Sequence, residues 1–130
     1  MATIAQLEEV FGTEVLDYLD RDATVPVVTR AAMQGDVSIL REAGVKPAST
    51  PIPARGVVVA SGREGHSHTL FGGGFFDRRE SGVVVGTLTV AADAEVFLLH
   101  AEHGGLQIAA GTYRVGRQRE QSDVIALVAD

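Results

Sequence analysis

Beyond residue 24 this chain is a succession of short β-branched and apolar runs, each closed by a turn rich in glycine, proline or charge. Val25 to Thr29, Val37 to Leu40, Gly56-Val57-Val58-Val59-Ala60, His66 to Phe71, Val83 to Val90 and Val96 to Leu99 are all of strand length. A chain cut this finely has no room for long amphipathic helices and must pair its runs edge to edge. Leu106-Gln107-Ile108 and Thr112-Tyr113-Arg114-Val115 read as a hairpin about Ala109 to Gly111. Pro47 to Pro53 cannot donate to a ladder and reads as a connection. Gly72-Gly73-Gly74 is expected to break the ladder, Arg78-Arg79-Glu80-Ser81-Gly82 to be a charged loop, and Val124 to Val128 to be a strand or a short helix. The predicted class is mainly β: a single-domain antiparallel sandwich or small barrel, jelly-roll or cupin-like in type.

The N-terminus differs. Ile4, Leu7, Val10 or Phe11, Val15 or Leu16 and Tyr18 recur at helical spacing, and Thr3 with Gln6 makes a capping box, so a helix is predicted from about Ala5 to Leu19. Gly12 falls inside that span and weakens it by about 1 kcal/mol relative to alanine. Residues 1–30 then form a helix with a connecting extension, and residues 31–130 the β domain. The apolar stripe of the helix has to be covered by this sheet or by a neighbouring subunit.

At 130 residues the chain can bury its own core, and the absence of cysteine excludes a disulfide framework and thiol chemistry. The net charge of -6 opposes approach to a phosphate backbone, so no nucleic-acid partner is expected. No apolar run approaches the roughly 20 residues that cross a bilayer, and Glu8, Glu9 and Glu14 stand where a secretory signal would be basic and then apolar. No membrane association and a cytoplasmic location are the expectations.

The chemistry of the sequence lies in its histidines. All four fall in two tight pairs, His66-Ser67-His68 and His100-Ala101-Glu102-His103. Residues i and i+2 of a strand share a face, so His66 and His68 project together. If the strand ending at His100 is a neighbour, the four imidazoles meet at one sheet end. They would then suit a divalent transition metal, with zinc, iron, manganese and nickel as the candidates. Glu64 and Glu102 are the nearby carboxylates, as a further ligand, an outer partner of an imidazole or a general base. The alternative is that these histidines are surface strand residues. The cupin ligand pattern is only partly matched: Gly65 precedes the pair, but Thr69-Leu70-Phe71-Gly72 holds no glutamate and no histidine follows Ala110-Gly111.

Gln34-Gly35-Asp36-Val37, Gly65-His66-Ser67-His68, His100-Ala101-Glu102-His103-Gly104, Gly111-Thr112-Tyr113-Arg114-Val115 and Arg117-Gln118-Arg119-Glu120 occur in that order. The series resembles a family of small, functionally uncharacterised bacterial and phage proteins, over about Met33 to Asp130. Gly105 stands where that family often has proline, and Gln121 where it often has tyrosine. The resemblance implies that the histidine motifs are one unit; it carries no activity with it.

Arg114, Arg117 and Arg119 form a second polar group, either a small-anion site beside the histidines or charges guarding a sheet edge. Asp36 after Gly35 reads as turn chemistry. Of Phe71, Phe75 and Phe76 around the triple glycine, at least one belongs in the core. There is no nucleophile elbow, phosphate-binding loop or dinucleotide fingerprint, so an enzyme would have to act through metal-activated water. Three functions remain in view: a β domain that binds a metal or a small-molecule ligand through the histidines, as a homo-oligomer; an assembly module without metal; and a metal-dependent hydrolase or isomerase.

Overall fold

The computed structural model describes residues 2–12, 22–61 and 66–118. Among the described residues ten strands form two five-stranded sheets, with a short helix ahead of them and no closed barrel. This answers the choice between sandwich and barrel.

The helix α1 (Ile4–Phe11) is capped as its sequence dictates. Thr3 Oγ1 accepts from the Gln6 amide at 3.2 Å, and Gln6 Oε1 accepts from the Thr3 amide at 2.8 Å. The helix ends at Phe11 because Gly12 adopts the left-handed conformation of a C-cap, with φ at 73°. Gly12 is therefore a terminator here and not an interior residue. The part of the expected helix beyond it, to Leu19, lies outside the described residues, as does Val124 to Val128.

The first sheet runs β1 (Val27–Val28), β9 (Gly104–Ile108), β8 (Val96–His100), β5 (Ser67–Gly72) and β4 (Val57–Ser61) in spatial order. The second runs β2 (Ala31–Gln34), β3 (Val37–Arg41), β10 (Gly111–Arg117), β7 (Val84–Val90) and β6 (Phe75–Ser81). All pairings are antiparallel except β1 with β9.

Side-chain alternation divides the core in two. Val96 and Leu98 of β8 join Leu70, Leu88, Tyr113 and Val115 between the sheets. Phe97 and Leu99, on the opposite face, join Phe71, Val25 and Leu7 under the helix. Every residue of β8 is thus buried, because one sheet is covered on both faces. Phe11 stacks on Phe71 with ring centroids 4.7 Å apart, so the stripe of the helix is covered by its own sheet. Phe76 is also buried, in the inter-sheet core.

Two local expectations are corrected. The segments about Ala109 to Gly111 are not a hairpin: β9 belongs to the first sheet and β10 to the second. The short link carries the chain around the end of the core, where Ile108 and Tyr113 are both fully buried. A hairpin and such a corner use the same turn residues, so the sequence does not separate them. The stretch Arg78 to Ser81 is not a loop but the exposed half of β6. This strand lies at a sheet edge, where arginine and glutamate discourage pairing with another chain.

Candidate functional site

The site is placed by strand register. Thr69 pairs with Leu99 and Leu70 with Leu98 across β5 and β8. Carried on by one residue, that register sets His68 opposite His100; carried on by three, it sets His66 opposite Glu102. His68 and His100 share the faces of Leu70 and Leu98, so both imidazoles look into the gap between the sheets. From the second sheet, the hairpin linking β2 to β3 reaches the same end with Gly35 and Asp36 at its tip, since Gln34 pairs with Val37.

The imidazoles gather closely. The His68 and His100 rings stack with centroids 4.2 Å apart, and His100 and His103 lie at 4.7 Å. His66 meets His100 edge-on at 5.9 Å. Asp36, His68, His100, Glu102, His103 and Arg117 are among the residues that line a cleft of about 550 Å³.

Hydrogen bonds fix what each ring can offer. Gln34 is buried, and its Nε2 donates to the Leu98 carbonyl at 2.9 Å and to the Gly104 carbonyl at 3.3 Å. Its Oε1 is therefore the atom facing His68 Nδ1, at 2.8 Å, and an amide oxygen can only accept. His68 accordingly carries its proton on Nδ1. His100 is the reverse: its Nδ1 accepts from the backbone amides of Glu102 at 3.0 Å and His103 at 3.3 Å, which leaves the proton of the neutral ring on Nε2. His66 Nδ1 stands 2.6 Å from Glu102 Oε1.

The same surroundings set the charges. Burial, reinforced by the neighbouring His100, lowers the His68 pKa from 6.5 to about 4. Burial and the nearness of His103 lower that of His100 as well. The hydrogen bond from His66 holds the Glu102 carboxyl below the usual carboxylate range. At neutral pH the centre of the cluster is a pair of uncharged rings.

Arg117 closes the rim. Its Nε donates to Asp36 Oδ2 at 3.0 Å and its Nη2 to the Ser61 carbonyl at 3.0 Å. Of the three arginines singled out in the sequence it is the only described one that lines this cleft. Arg114 points elsewhere, in register between Leu40 and Thr87, and Arg119 lies outside the described residues. Glu64 also lies outside them.

The structure sets the four histidines and Glu102 near one another, which the sequence implied only on the condition that their strands are neighbours. It adds Gln34 and Asp36, which sequence reasoning did not assign to the site. The signal for both was present in a polar Gln-Gly-Asp turn between two strands, a motif whose side chains flank a reversal. The four imidazoles do not converge on a point: among the described residues, no group of three or more histidine, aspartate and glutamate side chains is set to hold a metal ion. The physical reason is visible at His100, whose Nδ1 faces two amide protons and cannot take the proton that a metal on Nε2 would displace.

Two five-stranded sheets with a cluster of imidazoles at one open end define a β-sandwich protein with a polar end site. The chain belongs to DUF8820, a domain of unknown function, whose pattern matches residues 33–118, from β2 to the end of β10. No curated protein and no solved structure matches it. Among the described residues no helix is long and apolar enough to cross a membrane.

Proposed function

We propose that this protein is a small-ligand-binding domain and that the imidazole cleft is its binding site. The observation that carries the reading is the convergence of three distant segments, 34–36, 66–68 and 100–103, on one cleft, where a buried hydrogen bond to Gln34 holds His68 and partly buried ones hold His66 and His100. Holding two uncharged imidazoles face to face with fixed protons has no evident use in stabilising a sandwich whose sheets already enclose one apolar cluster between them. Polar groups arranged at the mouth of an apolar fold are the usual build of a small-molecule site.

A divalent metal ion is the second reading. It is favoured by His66 and His68, each of which directs Nδ1 at a side-chain oxygen and leaves Nε2 available. That is how metal-binding histidines are generally oriented.

Titration calorimetry on the wild-type protein and on a His68→Ala/His100→Ala double variant separates these readings. The probes are acetamide, ribose, inorganic phosphate and the chlorides of zinc, nickel and manganese. Saturable binding of a small molecule that the variant loses supports the first reading, and a stoichiometric cation lost in the same way supports the second. Silence from all of them would turn attention to an assembly role with no ligand.

A further inference from the structure

One contact in the cleft is incomplete as it stands. His68 Nε2 lies 3.4 Å from Asp36 Oδ1. With the proton of His68 committed to Gln34, both of these atoms are hydrogen-bond acceptors, and two lone pairs facing each other repel. The ring could relieve this by taking a second proton. Its side chain is only 3 % exposed, however, and it is stacked on another imidazole, so the charged form is strongly disfavoured. Among the described residues none donates to either atom, so a bound group that donates would satisfy both.

Across the stack the complementary group is present. His100 Nε2 carries the proton of its neutral ring, because two backbone amides fill Nδ1. The cleft therefore holds an acceptor pair, His68 Nε2 and Asp36 Oδ1, and is also lined by His100, whose ring is stacked on His68 and has its proton on Nε2. Among the described residues Arg117 is the one cation lining it, and it is already bound to Asp36 and to the Ser61 carbonyl.

We propose that the cleft selects an uncharged ligand bearing a group that both gives and receives a hydrogen bond, a hydroxyl or a primary amide. In this arrangement the ligand's proton bridges His68 Nε2 and Asp36 Oδ1, and its oxygen accepts from His100. Gln34 is the positioning residue: its amide, locked by Leu98 and Gly104, dictates which nitrogen of His68 is bare. An ionised phosphate or carboxylate is rejected, since it would bring acceptors to acceptors and a negative charge to Asp36. The inference rests on the binding reading above and narrows it to a ligand class.

The test is imidazole ¹⁵N spectroscopy on the whole chain at neutral pH, followed by titration with acetamide, ribose, inorganic phosphate and zinc chloride. The expected spectrum has His68 protonated on Nδ1 alone and His100 on Nε2 alone. Acetamide or ribose should then shift both Nε2 signals while phosphate leaves them unmoved. A Gln34→Leu variant should lose the single His68 tautomer. If that variant does not fold, the wild-type spectrum still decides. A doubly protonated His68, reversed tautomers or a response to phosphate in place of the neutral probes would each overturn the assignment and leave the binding reading standing, whereas zinc as the sole effector would overturn both in favour of the metal reading. No response to any of the four probes would end both.

Discussion

The backbone of Gly35 lies against the ring of His103, so closely that a methyl group on its Cα would stand 2.9 Å from Nε2. The same methyl would stand 3.2 Å from His68 Cε1. Gly35 also has φ at 58°, a left-handed conformation that costs other residues about 1–2 kcal/mol. Gly44 has a similar φ of 75°, but its position is open, with nothing within 4 Å of an added Cβ. Gly44→Ala should therefore lose only the conformational term, about 1 kcal/mol. Gly35→Ala should lose that and a further 1–2 kcal/mol or so from crowding two rings. Denaturant melts of the two variants check this, and equal losses would mean that the imidazoles simply move aside.

Acid should weaken the fold through the same cluster. The unfolded chain takes up a proton on His68 near pH 6.5, whereas the folded chain does so only near 4. Between those values the unfolded state holds more protons, so stability is present above about 6.5 and falls as pH drops toward 4. His100 shifts in the same direction and adds to the slope. Each such group contributes up to about 1.4 kcal/mol per pH unit within its window. Thermal melts from pH 4 to 8 should show this decline, and His68→Gln should flatten it in part. An unaltered slope in the variant would place the sensitivity elsewhere.

The ion pair at the rim should matter little to stability. Arg117 and Asp36 are both nearly half exposed, at 49 % and 42 %. Solvent screens such pairs to about 0–1 kcal/mol, so Arg117→Ala is expected to melt close to the wild type. Its effect should appear instead in the imidazole resonances, because Asp36 also faces His68. A large loss of stability with unchanged imidazole signals would contradict this division.

Helix docking should depend on one residue of its stripe. Leu7 is 4 % exposed among Val25, Phe71, Phe97 and Leu99, whereas Val10 is 70 % exposed. Leu7→Ala should cost about 2–4 kcal/mol and Val10→Ala less than about 0.5 kcal/mol. Circular dichroism melts of the two variants provide the measurement. Comparable losses would mean that Val10 is covered in solution, as in a homo-oligomer.

At the link between β9 and β10, the Tyr113 hydroxyl donates to the Ala109 carbonyl at 2.7 Å and accepts from Arg41 Nη2 at 3.2 Å. This bond braces the link where the chain passes from one sheet to the other. Tyr113→Phe removes both hydrogen bonds at once while keeping the buried ring, and should cost about 1–2 kcal/mol in a denaturant melt. A variant as stable as wild type would show that the link holds without the bracing.

Much of this was legible from residue order. The runs at Val37, Val57, His66, Val84 and Val96 announce themselves by β-branched composition and bounding glycines, and Thr3 with Gln6 announces the helix start. These signals are local, so they survive in the sequence. Three elements were hidden: β2, whose Ala31–Gln34 run carries no β-branched residue, β6 and the link between the sheets. β6 is half arginine and glutamate, as an edge strand can be, and so resembles a loop. The link at Ala109 to Gly111 has hairpin residues but serves as a corner.

The sequence by itself determined the secondary-structure alphabet, the mainly β class and the pairing of histidines two and three residues apart, because each depends on neighbours along the chain. Only the tertiary structure decided that β5 and β8 are adjacent and in a register that stacks His68 on His100. It alone brought the Gln34-Gly35-Asp36 turn across from the other sheet to fix where the protons sit. Register and strand order come from packing residues more than thirty positions apart, as His68 and Gln34 are. No local pattern records such a distance, which is why the imidazoles could be foreseen and their chemistry could not.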